Sequence, residues 1–243
     1  MSVSVVIPVY NEQENILPLA EEMARLVDRV PDLEVLLVDD GSRDATWERI
    51  GEARRRFPFL RGIRYERNRG QSAAMLAGLA EAQGDVIVTL DGDLQNNPED
   101  IPRLLELLKN HDVVCGYRAR RRDSWARRFG SRIANAVRNW CTHDGIRDTG
   151  CSLKAFRREC VADLPPLSGV HRFMPAYFRL NRRSIAEIPV DHRPRTRGRS
   201  KYTNLKRLPG TLYDLFGFAW YRRRYLRPLR GAELTRVGGP QKA

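Results

Sequence analysis

The chain has 243 residues, with 43 Lys and Arg against 30 Asp and Glu, leaving a net charge of +13. An apolar fraction of 42% with 8 Phe, 8 Tyr and 4 Trp is enough to bury a sizeable core and excludes a disordered chain. The 4 Cys form no C-x-x-C pair, no apolar run reaches the roughly eighteen residues of a membrane span, and no signal peptide is expected to lead the chain. A zinc site, a disulfide scaffold and a membrane-spanning fold are therefore disfavoured, and a cytosolic protein, or one lying on the cytosolic face of a membrane, is expected.

In chain order, the runs Val3–Ile7, Glu34–Val38, Gly62–Tyr65, Val86–Leu90 and Asp112–Cys115 are short, rich in Val, Ile and Leu, and bounded by turn residues. They read as strands. Between them, Glu14–Val30, Ala45–Arg56, Ser72–Gln83 and Glu99–Lys109 carry apolar residues at helical spacing. Alternating strands and helices predict an α/β fold: a mostly parallel sheet flanked by helices, with ligands gathered at the carboxyl ends of the strands.

Those strand ends are polar. Pro8-Val-Tyr-Asn-Glu12 follows the first, Asp39-Asp-Gly-Ser-Arg-Asp44 the second, Asn68-Arg-Gly-Gln71 the third and Asp91-Gly-Asp-Leu-Gln95 the fourth. One Asp-Gly turn is ordinary turn chemistry; four polar clusters on one sheet edge make a site. In Asp91-Gly-Asp93 two carboxylates one residue apart can meet a hard divalent cation, Mg²⁺ or Mn²⁺, which normally shares its shell with substrate phosphates. Gln95 can add a neutral oxygen. The chain has no Gly-x-x-x-x-Gly-Lys loop and no Gly-x-Gly-x-x-Gly fingerprint, which disfavours ATP hydrolysis and nicotinamide chemistry. A metal-bound nucleotide diphosphate used as a leaving group fits what remains.

Charge is concentrated late in the chain. Twelve Lys and Arg against one acid, Asp214, lie between His192 and Gly231, around the aromatic segment Leu212–Tyr221. A shorter basic cluster includes Arg118, Arg120, Arg121, Arg122, Arg127 and Arg128. From Leu208 onward apolar residues recur at helical spacing, followed by Trp220, Tyr221, Tyr225 and several arginines. This segment is too short to span a bilayer and suits an anionic membrane surface.

Together, Val6–Glu12, Val38–Asp44, Asn68-Arg-Gly and Asp91-Gly-Asp resemble the family 2 inverting glycosyltransferases of GT-A fold. Asp148–Arg157 and His192–Tyr202 narrow the resemblance to the dolichyl-phosphate mannose synthase branch and its bacterial polyprenyl-phosphate relatives. The match implies a GT-A catalytic domain over residues 1–205 and a membrane-interface helix and tail over 206–243. It implies that Pro8, Tyr10 and Glu12 line the nucleotide pocket, that Asp39 contacts the base, and that Asp91 serves the ribose or the metal. Asp40 reads equally well as a turn residue. Asp93 and Gln95 are the implied metal ligands, with Arg118, Arg127 and Ser131 as the acceptor-phosphate pocket. Ser200 and Lys201 are implied to close over the donor phosphates from a loop that also carries His192 and Arg195. Asp148 occupies a position that serves as a base in hydroxyl-directed relatives; here an acceptor-orienting role is favoured, because a phosphate acceptor is already ionised.

The resemblance thus implies sugar transfer from a UDP- or GDP-linked nucleotide sugar to a polyprenyl phosphate at the cytosolic membrane face. The alternatives are a hydroxyl acceptor, or a basic non-catalytic protein binding membrane or nucleic acid. Nothing in the chain resembles a nucleic-acid module, so no nucleic-acid partner is expected.

Overall fold

The computed structural model describes residues 1–118, 138–194 and 204–226. Among the described residues, seven strands form one sheet in the order β3-β2-β1-β4-β6-β5-β7. β1 (Val3–Val9), β2 (Leu33–Asp39), β3 (Leu60–Arg64) and β4 (Val86–Thr89) are mutually parallel, each followed by a helix or helical turn. β5 (Val113–Arg118) runs parallel to β7 (Ile185–Val190), and between β4 and β5 lies β6 (Lys154–Arg157), antiparallel to both. The sheet is mostly parallel, as expected, and the inserted β6 is new information. Its four residues Lys-Ala-Phe-Arg carry a charge at each end and present no strand-like alternation.

Side-chain alternation divides the core into two layers. Val3, Val5, Ile7 and Val9 of β1, with Val35 and Leu37 of β2, face α1 (Ile16–Ala24), α2 (Thr46–Arg56) and α4 (Ile101–Leu108). Val6, Leu36, Val38 and Ile87 face the opposite layer, made by α3 (Gln71–Glu81), α5 (Val170–Leu180) and α6 (Asn204–Arg224). Near-continuous apolar strands are what a doubly covered parallel sheet requires.

Two helices depart from the sequence pattern. α1 ends at Ala24 rather than near Val30, because Arg25, Leu26 and Val27 donate to the carbonyls three residues back, tightening the last turns. Leu26 and Val30 still bury their side chains, which explains the longer apolar periodicity. α5 is not apparent from propensity, since Pro175 sits inside it. A proline there costs about 3 kcal/mol in an isolated helix; burial of Phe173, Met174, Tyr177 and Phe178 offsets it.

α6 contains the described part of the basic, aromatic segment. Leu215 and Phe218 are buried against α5, where Phe218 stacks on Phe173 at 5.6 Å and meets Tyr177 edge-on at 5.0 Å. Asp214 pairs with Arg172 at 3.0 Å, and the Tyr225 hydroxyl donates to Asn181 at 2.8 Å. The opposite side exposes Tyr213 (80%), Phe216 (70%) and Trp220 (63%). The segment therefore does two things: one face packs on the protein's own core and the other presents aromatic rings outward. Among the described residues no helix is long and apolar enough to cross a membrane.

Candidate active site

The carboxyl ends of β1, β2 and β4 meet the loop leading into β6 around a cleft of about 520 Å³. Pro8, Tyr10 and Glu12 from the end of β1 line it, as do Asp91, Asp93 and Gln95 from the turn after β4. Arg118, at the end of β5, lines it as well. Running β6 antiparallel brings the segment before it, Thr149 to Ser152, to the same edge as the ends of its parallel neighbours.

The loops after β1 and β2 hold each other. The Asn11 amide donates to Ser42 Oγ at 2.8 Å, the Arg43 amide to Asn11 Oδ1 at 2.7 Å, and the Glu12 amide to Thr46 Oγ1 at 2.8 Å. Gly41 turns the second loop at φ +69°, and a Cβ there would lie 2.5 Å from the Asn68 nitrogen. Only glycine fits that crossing.

Asp39 and Asp40 have different surroundings from those the sequence implied. Asp39 is fully buried, accepts from the Ser42 amide at 2.9 Å and pairs with Arg64 at 3.1 Å; it does not line the cleft. Asp40 does. Its carboxylate accepts from the Arg69 amide at 2.7 Å, the Gly70 amide at 2.8 Å and Asn68 Nδ2 at 2.9 Å, fixing the loop before α3. Burial pushes the Asp40 carboxyl above the ordinary aspartate value, assisted by the neighbouring Asp39 charge and opposed by those two amides. Adjacent in sequence, the two side chains thus have different settings: Asp39 is buried beneath the cleft's lining and Asp40 is part of that lining.

In the turn after β4, Gln71 Nε2 donates to Asp91 Oδ1 at 3.1 Å and the Gln95 amide to Asp93 Oδ1 at 3.2 Å. Leu94 bends the chain at φ +62°. Asp91, Asp93 and Gln95 offer carboxylate and amide oxygens to one cleft, a hard donor set that fits Mg²⁺ or Mn²⁺ sharing its shell with phosphate. Among the described residues no three His, Cys, Asp or Glu side chains gather as a closed protein-only cage. The segment entering the expected donor-closing loop is pinned beside this turn. Asn96 bridges to His192, the Arg193 amide donates to the Gln95 carbonyl at 2.7 Å, and Arg193 reaches Glu22 and Asn97, each at 2.7 Å. Arg195, Ser200 and Lys201 lie outside the described residues.

Cations line the same cleft. Arg118 grips Asp148 with two hydrogen bonds, Nε to Oδ2 at 2.6 Å and Nη2 to Oδ1 at 2.8 Å. That carboxylate raises the guanidinium's pKa further above its ordinary value. Arg127 and Ser131, the other implied acceptor-phosphate residues, lie outside the described residues. Lys154, His171 and Arg172 also line the cleft. Sequence reasoning assigned them no role. Lys154 stands within a quoted motif, but nothing local marks its side chain as turned toward a site. His171 and Arg172 belong to the helix that Pro175 disguises. His171 shares a 2.8 Å hydrogen bond with Ser72, whose Oγ also accepts from the Gly169 amide at 2.8 Å, tying α5 to the start of α3. The cleft thus gathers charges of both signs, Glu12, Asp40, Asp91 and Asp93 from the loops after β1, β2 and β4, and Arg118, Lys154 and Arg172 from β5, β6 and α5.

Residues 4–165 match the model of the family described as glycosyl transferase family 2. The chain belongs to that family. Among curated members, the undecaprenyl-phosphate 4-deoxy-4-formamido-L-arabinose transferase of Edwardsiella ictaluri is 41% identical over 217 residues, 88% of this chain and 66% of that protein. The protein of the same name from Pseudomonas fluorescens is also 41% identical, over 88% of this chain and 63% of its own length. The chain therefore spans just under two-thirds of the length of these relatives. Among solved structures, glucosyl-3-phosphoglycerate synthase from Mycobacterium tuberculosis superposes on this family 2 chain with a TM-score of 0.70. The identity is 23%, and the match covers 95% of this chain and 81% of that one, in a complex with Mn²⁺, UDP-glucose and phosphoglyceric acid. Its complex with UDP superposes equally well, at 0.70 and 23% identity, covering 95% and 82%. These neighbours establish the GT-A fold.

Proposed function

We propose that this family 2 glycosyltransferase moves a sugar from a nucleotide diphosphate to a polyprenyl phosphate, with inversion at the anomeric carbon. The observation that carries the reading is one cleft lined both by carboxylates, Asp91 and Asp93, that suit a metal-bound diphosphate and by cations, Arg118, Lys154 and Arg172, that suit an anionic acceptor. The relatives at 41% identity are named for an undecaprenyl-phosphate acceptor, and UDP is the nucleotide named in the structural neighbours.

A phosphate monoester is ionised at neutral pH, so attack on the anomeric carbon needs no general base. The enzyme must instead hold two anions together against their repulsion. Mg²⁺ or Mn²⁺, held by Asp91, Asp93 and Gln95, would supply the positive charge that neutralises the leaving diphosphate. Pro8, Tyr10, Glu12 and Asp40 form the wall against which the nucleotide lies. Arg118 faces the acceptor, fixed in direction by Asp148. Because Arg118 engages both Asp148 oxygens, that carboxylate suits orientation rather than proton abstraction, which disfavours a hydroxyl acceptor. Arg127, Ser131, Ser200 and Lys201 remain part of the proposed machinery on the strength of the family motif.

We further place the protein peripherally on the cytosolic face of an anionic membrane, with Tyr213, Phe216 and Trp220 at the headgroup boundary beside Arg222, Arg223 and Arg224. The deciding experiment is turnover of a panel of UDP- and GDP-sugars with a short-chain polyprenyl phosphate, followed by product identification. Transfer to the lipid phosphate is expected; transfer only to a sugar hydroxyl would overturn the reading.

A further inference from the structure

Lys154 opens β6 and is 2% exposed, yet it lines the cleft. Its ammonium donates to two backbone carbonyls, those of Cys151 and of Thr149, the latter at 3.5 Å. Among the described residues it forms no ion pair, whereas Arg118, which lines the same cleft, is matched by Asp148. Carbonyl dipoles soften the burial of a cation but leave its net charge unbalanced, and an ammonium without a counter-ion is costly to keep in a folded interior. The Arg118–Asp148 pair is close to neutral overall. Among the described cations that line the cleft, Arg118 pairs with Asp148 and Arg172 with Asp214, so Lys154 is the one without a carboxylate partner.

We propose that Lys154 is a buried counter-charge for the phosphate of the acceptor, acting from beneath the Thr149–Cys151 segment. The inference rests on the acceptor reading above and adds a residue to it. As a positioning residue, Lys154 has two effects with one group. Its hydrogen bonds hold the backbone that follows Asp148, so the Asp148–Arg118 grip keeps its direction. Its charge balances the incoming anion in a poorly screened setting, where a charge is worth more than at the surface. The folded protein tolerates the unbalanced charge because the acceptor completes the pair.

Three variants of the full chain separate charge from scaffolding. Lys154→Met removes both charge and hydrogen bonds, Lys154→Gln keeps a donor for the carbonyls but no charge, and Lys154→Arg keeps the charge. Binding is measured with a short-chain polyprenyl phosphate and, separately, with UDP and Mn²⁺, after circular-dichroism melting has shown that each variant folds. Lys154→Met and Lys154→Gln should both weaken polyprenyl phosphate binding roughly ten- to hundredfold, the scale of one charge-assisted contact, with UDP affinity within about twofold of wild type. Lys154→Arg should recover most of the loss. Full recovery in Lys154→Gln would assign the effect to the loop's hydrogen bonds and overturn the counter-charge. A loss confined to UDP would overturn it as well. Failure of the unaltered protein to bind polyprenyl phosphate would instead overturn the acceptor reading.

Discussion

The acidic and the basic lining of the cleft, its two halves by charge rather than by position, are supplied by different means. The acidic half comes from the run β1 to β4, in which each strand ends at the same edge and delivers its polar cluster there directly. The basic half draws on the end of β5, the segment before the antiparallel β6, and the first turn of α5. Its cations, Arg118, Lys154 and Arg172, come from three separate elements and across a reversal of strand direction. A site assembled from consecutive βα units can be read as a list of motifs. A site assembled across a strand reversal depends on tertiary pairing.

The acidic half should break first and hardest. Asp93→Asn keeps the side-chain size and removes a charged oxygen, so kcat with Mn²⁺ should fall by roughly 10²–10³, the scale of a preorganised electrostatic contact. Melting temperature should hold, because Asp93 lies at the cleft and not in either apolar layer. Excess chelator should abolish turnover of the unaltered protein. Undiminished activity in chelator would remove the metal from the mechanism.

In the basic half the expected losses are smaller. Arg118→Ala should raise the acceptor KM by roughly ten- to hundredfold while UDP binding is retained. Asp148→Asn keeps one acceptor oxygen for Arg118 and should cost less than Arg118→Ala. A hydroxyl-directed enzyme would reverse that order, since Asp148→Asn would then remove its base. Steady-state kinetics on the two variants, with acceptor varied, decides between them.

The contrast also explains what could be read from sequence. The first four strands and three of their helices emerge within a few residues of the observed bounds, because parallel strands buried on both faces are unbroken runs of Val, Ile and Leu. α1 is the exception in length, its apolar spacing continuing through turns that are no longer α-helical. The cleft-lining Pro8, Tyr10, Glu12, Asp91, Asp93, Gln95 and Arg118 stand in motifs at strand ends and were legible for that reason. Asp39 and Asp40 were not separable, because side-chain direction alternates along the chain and the strand's last residue cannot be located from pattern alone. β6, α5 and with them Lys154, His171 and Arg172 were hidden, the first by its length and charge, the second by Pro175. Their roles follow from pairing with β4 and β5, which no local pattern encodes.

A smaller effect tests whether α6 belongs with the basic half. Gly169 opens α5 at φ +83°, and a Cβ there would lie 2.9 Å from Asp214 Oδ2 of α6. Gly169→Ala should cost about 1–3 kcal/mol, seen as a fall of several degrees in melting temperature. Gly217, in α6 itself, has open space around it. Gly217→Ala should be neutral or gain about 0.5–1 kcal/mol from helix propensity. Equal melting temperatures for the two variants would show that neither the positive φ of Gly169 nor its close approach to Asp214 is as described.

The smallest effect concerns the outer face of α6. Removing residues 208–243 is a poor test of membrane attachment, because it would also strip Leu215 and Phe218 from the α5 layer and expose the core. Replacing Phe216 and Trp220 by Ser alters only the exposed face and leaves the stacking of Phe218 on Phe173 intact. Arg222, Arg223 and Arg224 follow at once in the last turn. Each basic side chain near an anionic surface is worth about 1 kcal/mol, so the three supply about 3 kcal/mol at low salt, and less as salt screens them. Partial burial of two large aromatic side chains adds about 1–2 kcal/mol each, short of the 1.5–3 kcal/mol of full burial. The double variant should therefore partition onto anionic vesicles roughly ten- to several-hundredfold more weakly. Its solution turnover of a detergent-dispersed acceptor should be unchanged. Raising salt should weaken the unaltered protein's binding while leaving the aromatic share in place. A double variant that sediments with vesicles as fully as the unaltered protein would remove this face from the membrane and leave α6 as a packing element of the core alone.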